Sequence, residues 1–143
     1  MDVHRHRRQG GNLLLNVGPR GVDAQIPDEQ LTRLEWLGRW INPNSSAIAS
    51  SRPWIVPGTT TTEGADVRYT ARDRTVFAFL RDASGTVTLP DVGPTRTTEV
   101  TTVGGAALPW KDTPSGLAID LPPGSAGPEP AVVALRQVVA RAS

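Results

Sequence analysis

The sequence predicts a mainly β chain: an antiparallel β-sandwich over residues 65–143, reached through a connector at 45–64, and before it one strand and one helix of the parallel-sheet kind. Three observations predict this. From Ala65 onward, short β-type segments alternate with turn signals, the texture of a sandwich. Ahead of them, an apolar run closed by Gly18-Pro19 leads into a stretch with helical spacing of its leucines. With 14 Gly and 13 Pro among 143 residues, and 38% hydrophobic residues, the composition is globular and rich in turns.

The first element is the run from Asn12 to Val17, short and apolar enough to read as a fully buried strand. Next comes a helix. Pro27 suits its first turn, Asp28 and Glu29 complement the positive end of its dipole, and Leu31, Leu34, Leu37 and Ile41 mark one face. Gly38 falls on that face, so a close approach to a packing partner is expected there. Asn42-Pro43-Asn44 stops the helix. The connector holds Pro53, Pro57-Gly58 and consecutive threonines, and its backbone is expected to follow a surface, with Trp54 pinned against a domain.

Six strands are predicted beyond it: Val67–Tyr69, Val76–Leu80, Val87–Leu89, Glu99–Val103, Leu117–Leu121 and Ala131–Val138. Asp82-Ala83-Ser84-Gly85 is expected to form a hairpin loop, with further turns at Gly104-Gly105, Pro114-Ser115-Gly116 and Pro122-Pro123-Gly124. Alternation puts Leu117, Ile119 and Leu121 on one face and Ala118 and Asp120 on the other.

A net charge of +1 names no partner class, and no basic patch with interleaved aromatics supports nucleic-acid binding. The absence of cysteine removes disulfides and thiolate metal sites. Leu13-Leu14-Leu15 is too short for a signal-peptide core, and no apolar stretch spans a membrane. The compartment stays open.

Gly10-Gly11-Asn12-Leu13-Leu14-Leu15-Asn16-Val17-Gly18-Pro19, then Ile26-Pro27 and Leu37-Gly38-Arg39-Trp40-Ile41, resembles the last barrel strand and helix of family 29 glycoside hydrolases, the α-L-fucosidases. Asn44, Ala47-Ile48 and Arg52-Pro53-Trp54 resemble the segment leaving that barrel. Thr62 to Thr70, Gly85 to Pro90, Trp110 and Gly116 to Pro122 resemble parts of the sandwich that follows. The resemblance implies that residues 1–44 are a remnant of the last βα unit of a (β/α)8 barrel, since about 250 residues are needed for a complete one. It implies a parent that is a retaining exo-hydrolase of terminal α-L-fucose, in a family often exported or lysosomal. Its aspartate nucleophile and acid/base would lie upstream, leaving no catalytic residue to assign here. The basic run His4-Arg5-His6-Arg7-Arg8 departs from the family pattern, and the expectation is a truncation, a frameshift scar or a misplaced initiation codon.

Retaining glycoside hydrolysis needs two carboxyl groups about 5 to 5.5 Å apart. Glu63 with Asp66 is the most tempting pair by proximity, but both sit where the connector meets a strand, and a surface or turn role outranks catalysis. Asp112 falls in an expected loop and Asp120 on a solvent face. His4 and His6 could form a two-ligand clip, which is too few ligands for a metal, so a frayed basic tail is the reading and no cofactor is expected.

Asn12 and Asn16 flank the first strand and need hydrogen bonds. Asn16 and the loop 18–25 would lie near a barrel's substrate mouth, which makes Asn16 a substrate-adjacent candidate behind a structural role. Trp110 could stack on a sugar, although with Trp36, Trp40 and Trp54 the commoner fate is packing.

The expected function is therefore a non-catalytic, structural C-terminal piece of a fucosidase-like hydrolase, meeting a fucosylated glycan only in a complete barrel. A stand-alone carbohydrate-binding or adhesion module, using Trp110 and Tyr69 as its platform, is one rival. A subunit that complements a separately encoded barrel fragment is another. In isolation, the strand and the apolar helix face would expose surface that invites aggregation.

Overall fold

The computed structural model describes residues 14–141. The chain forms helix α1 (Asp28–Ile41), a short helix α2 (Ser45–Ile48), and the strands β1 (Arg52–Thr60), β2 (Asp66–Arg72), β3 (Thr75–Arg81), β4 (Thr86–Leu89), β5 (Val92–Thr102), β6 (Trp110–Thr113), β7 (Gly116–Asp120) and β8 (Ala131–Ala140). They build two antiparallel sheets, one ordered β1-β2-β3-β8-β5 and the other β4-β7-β6. The predicted mainly β sandwich with an N-terminal helix is thus the observed architecture.

The core lies between the sheets. Val67, Tyr69, Val76, Ala78 and Leu80 face inward from β2 and β3, Val133 and Leu135 from β8, and Val87, Leu89, Leu117 and Ile119 from the smaller sheet. Alternation along each strand creates this face, since every second side chain points the same way. On β7 the expected set holds: Leu117 and Ile119 are fully buried and Asp120 is exposed. Ala118 is buried as well, because β7 is the central strand of its sheet.

The other face of the large sheet carries a second apolar cluster. Phe77, Phe79 and Ala134 pack there with Ala47 and Ile48 of α2 and with Trp40 and Ile41 from the end of α1. Trp40 lies 6.3 Å from Phe79, ring centroid to centroid, and its indole N–H donates to the Pro130 carbonyl at 3.2 Å. The buried hydroxyl of Thr70 donates to the Ala47 carbonyl at 2.8 Å, pinning α2 to β2.

The helix begins as expected. Pro27 precedes its first residue, and the Pro27 carbonyl accepts from the N–H of Gln30 and Leu31 at 2.9 and 3.0 Å. Gly38 departs from expectation: a Cβ built there meets nothing within 4 Å, so no partner among the described residues approaches it. The sandwich takes only the Trp40–Ile41 end, and no residue of α1 is fully buried.

Four further expectations are corrected. Residues 14–17 join no sheet, because a parallel-type strand needs neighbours to take its hydrogen bonds and no described strand lies beside it; Asn12 and Leu13 are outside the described residues. The expected surface connector contains β1, an edge strand whose register shifts between Pro53 and Gly58. Proline is tolerated there because an edge strand leaves one row of backbone groups unpaired. Asp82–Gly85 does not close a hairpin, since β3 and β4 belong to different sheets and the segment crosses between them. Finally, β6 was not predicted; it pairs with β7 across the tight loop Pro114-Ser115.

Candidate functional site

The segment 14–20 returns along α1 and is tied to it where Gln30 Oε1 accepts from the Gly18 N–H at 2.9 Å. Between them runs a groove of about 460 Å³, lined by Leu15, Asn16, Val17 and Gly18 on one side and Gln30, Arg33, Leu34, Trp36 and Leu37 on the other. Most of its side chains are apolar, while Asn16, Gln30 and Arg33 supply polar groups. Leu14 is 83% exposed, and Leu31 and Trp36 of α1 are also exposed. The next loop is braced by the Arg20–Asp23 ion pair and by Asp23 Oδ1 accepting from the Gln25 N–H at 3.1 Å.

The helix α1 is also fixed to the loop between β7 and β8. Trp36 donates to Glu129 Oε1 at 2.8 Å, one turn before the Trp40 bond to Pro130. Asn44 donates to the Trp40 carbonyl at 2.8 Å, which fixes the junction between α1 and α2. Sequence alone linked these tryptophans to packing, but nothing local points to Glu129 or Pro130.

The candidates from sequence are not brought together. Asn16 is exposed on the segment beside α1, and Trp110 sits on β6 of the small sheet, opposite Ile119 and 36% exposed at the sandwich margin. Trp110 does not line the Asn16 groove. Tyr69 is fully buried, so it cannot be half of an aromatic sugar platform. The sequence misjudged it because alternation places position 69 in the core while the residue type suits either a core or a surface.

The acids weighed for hydrolysis have other partners. Asp66 pairs with Arg68 at 2.7 Å, Asp112 with Arg141 at 3.0 Å, and Asp120 accepts from the Thr86 hydroxyl at 2.6 Å. Glu63 accepts from the Thr88 N–H at 2.8 Å and the Thr88 hydroxyl at 2.9 Å. Burial pushes its pKa up, but hydrogen bonds from Thr88, from its own backbone and from Thr61 together bring it below the usual carboxylate value. These contacts describe structural acids. Among the described residues, no three His, Cys, Asp or Glu side chains cluster so as to hold a metal ion; His4 and His6 lie outside them.

The described residues thus form a two-sheet sandwich with a helix clamped to its outer face and an open, mostly apolar groove along that helix. The chain is homologous to the C-terminal region of family 29 α-L-fucosidases. It is 36% identical over 125 residues to the α-L-fucosidase of Branchiostoma floridae, covering 85% of this chain and 27% of that protein. Against human tissue α-L-fucosidase it is 38% identical over 117 residues, covering 79% of this chain and 24% of that protein. The chain therefore spans about a quarter of the length of the curated relatives it matches. Among solved structures, the Thermotoga maritima α-fucosidase in complex with a mechanism-based inhibitor superposes with a TM-score of 0.79 at 28% identity, covering 93% of this chain and 32% of that one. A Bacteroides thetaiotaomicron family 29 enzyme, at 18% identity and a TM-score of 0.68, shares the fold. No protein-family model matches the chain.

Proposed function

We propose that this chain is the C-terminal structural part of an α-L-fucosidase-like retaining glycoside hydrolase whose parent removes terminal α-L-fucose, and that it is not catalytic by itself. In this reading residues 1–44 are the last βα unit of a barrel, and the rest braces that unit from outside. A fucosylated glycan is met only when a complete barrel is present. The observation that carries the reading is the groove along α1: among the described residues the sandwich holds only the Trp40–Ile41 end and the Trp36 edge, while Leu15, Val17, Leu34 and Leu37 line an open channel beside segment 14–18. Burying such a face is worth about 25 cal/mol per Å² of apolar surface, which favours a further polypeptide over water. The partnering of Glu63, Asp66, Asp112 and Asp120 supports the non-catalytic half of the proposal.

The test is reconstitution. The pure chain should release no chromophore from an aryl α-L-fucoside, and mixing it with the separately produced barrel-bearing portion of a relative should restore release. Leu34→Asp should abolish that recovery while leaving the sandwich folded. Release by the pure chain above a buffer blank would overturn the proposal.

A further inference from the structure

Among the described residues the small sheet ends at β4, and the edge of β4 is occupied without a strand being there. Pairing with β7 sets Thr86 opposite Asp120, Val87 opposite Ile119, Thr88 opposite Ala118 and Leu89 opposite Leu117. Thr88 turns its own backbone groups the other way. Its N–H donates to Glu63 Oε2 at 2.8 Å, and its carbonyl accepts from the Thr62 N–H at 3.2 Å. One N–H is given and one received, which is what a residue of an adjacent antiparallel strand would exchange with Thr88. Here a side-chain carboxylate and the Thr62 amide do it instead, the Thr62 hydroxyl adding a long bond of 3.5 Å to the same carbonyl. Glu63 Oε1 also accepts from the Thr88 hydroxyl at 2.9 Å, so the carboxylate is gripped at both oxygens.

The turn that delivers Glu63 is itself fixed. Thr61 donates its N–H to the Ala65 carbonyl at 2.8 Å, Ala65 returns its N–H to Thr61 Oγ1 at 3.0 Å, and Gly64 takes the positive φ of 96° that lets the chain reverse. This turn joins β1 to β2, strands of the opposite sheet.

The remaining sheet edges carry a different protection. β1 contains Pro53 and Pro57 with a shifted register, β5 contains Pro94 with another shift, and β6 is a four-residue strand between Pro109 and Pro114. Proline and bulges blunt an edge by removing donors and twisting it away. β4, reading Thr-Val-Thr-Leu, has no proline and no charge within it and is built of strong strand formers. Among the described residues it is covered by the Thr62–Glu63 contact.

We propose that Glu63 is a guard residue that keeps β4 from pairing with β4 of a second copy of this chain. A second copy is the fitting occupant because an antiparallel pair of β4 strands about a two-fold axis is self-complementary: each Thr88 offers the N–H that the arrangement needs and the carbonyl to receive one. Val87 and Leu89 point to the core and remain buried in such a pair.

The test follows the Thr88 amide by hydrogen exchange in the intact chain at several protein concentrations. In the parent sequence Thr88 should be protected at every concentration. In Glu63→Ala its protection should fall about tenfold in dilute solution, the scale of one lost hydrogen bond to a charged group, and should climb back as the protein is concentrated. Association through the α1 groove leaves the Thr88 amide unaltered, so this readout separates the two surfaces. Glu63→Asp keeps the charge but falls one methylene short, and it carries the same expectation should the alanine variant not fold. Glu63→Gln retains an accepting oxygen and should stay protected. Thr88 remaining protected in dilute Glu63→Ala, or staying unprotected at high concentration, overturns the proposal.

Discussion

The Trp54 indole meets the Tyr69 ring nearly edge-on, with centroids 5.3 Å apart and planes at 67°, and this contact seals the β1 side of the core. An edge-to-face pair contributes about 0.5 to 1.5 kcal/mol beyond its buried area. The Tyr69 hydroxyl is buried and finds no hydrogen-bond partner among the described residues. Burial first, and the charge of Asp91 second, push the phenol pKa upward.

Tyr69→Phe should therefore stabilise the fold by about 1 kcal/mol, because it deletes a desolvated, unpaired polar atom and keeps the ring. Chemical denaturation at neutral pH measures this. The parent should also lose stability as pH climbs past 10, where the unfolded phenol ionises and the buried one stays protonated; the phenylalanine variant should lack that component. A variant less stable than the parent would show that the hydroxyl is satisfied in solution.

Gly116→Ala should cost about 3 kcal/mol. Gly116 opens β7 at φ 139°, and a Cβ on it would sit 2.2 Å from the Leu89 carbonyl oxygen, a backbone atom that cannot swing aside. The β6–β7 hairpin and the pairing of β7 with β4 would both have to shift. A midpoint of thermal unfolding within a degree of the parent would contradict this.

Acid should weaken the sandwich through Glu63. Its folded pKa lies below the ordinary value of 4.5, so its contribution is complete above that pH and disappears as the pH falls through the folded value. Comparing denaturation of the parent and Glu63→Gln between pH 7 and pH 3 checks the sign: the parent should lose more stability on acidification than the glutamine variant. Equal losses would assign the acid sensitivity to other carboxylates.

The legibility of the fold follows from how local each signal is. Val76–Leu80 and Leu117–Leu121 were readable because their side chains and bounding turns are contiguous in sequence. β1 was not, since Pro53, Pro57, Gly58 and its threonines are what a loop would also contain, and only its place at a sheet edge makes them acceptable. β6, four residues long with Trp110, Lys111 and Asp112 exposed, has no alternation to detect. At the candidate site, the helix after Pro27 was expected, while the groove that it forms with Asn16 was not. The attachment of Trp36 to Glu129, 93 positions away, was not.

By itself the sequence determined which segments prefer strand or helix, where most turns fall, and the likeness to the C-terminal region of α-L-fucosidases, because periodicity, turn chemistry and motif identity are written in neighbouring residues. Tertiary structure alone decided that β3 and β4 part into different sheets, that Tyr69 is sealed in the core, and that Glu63 is spent on Thr88. Those outcomes depend on which surfaces meet across the sandwich, and the free energy of such meetings belongs to pairs of residues far apart in the chain, which no local pattern encodes.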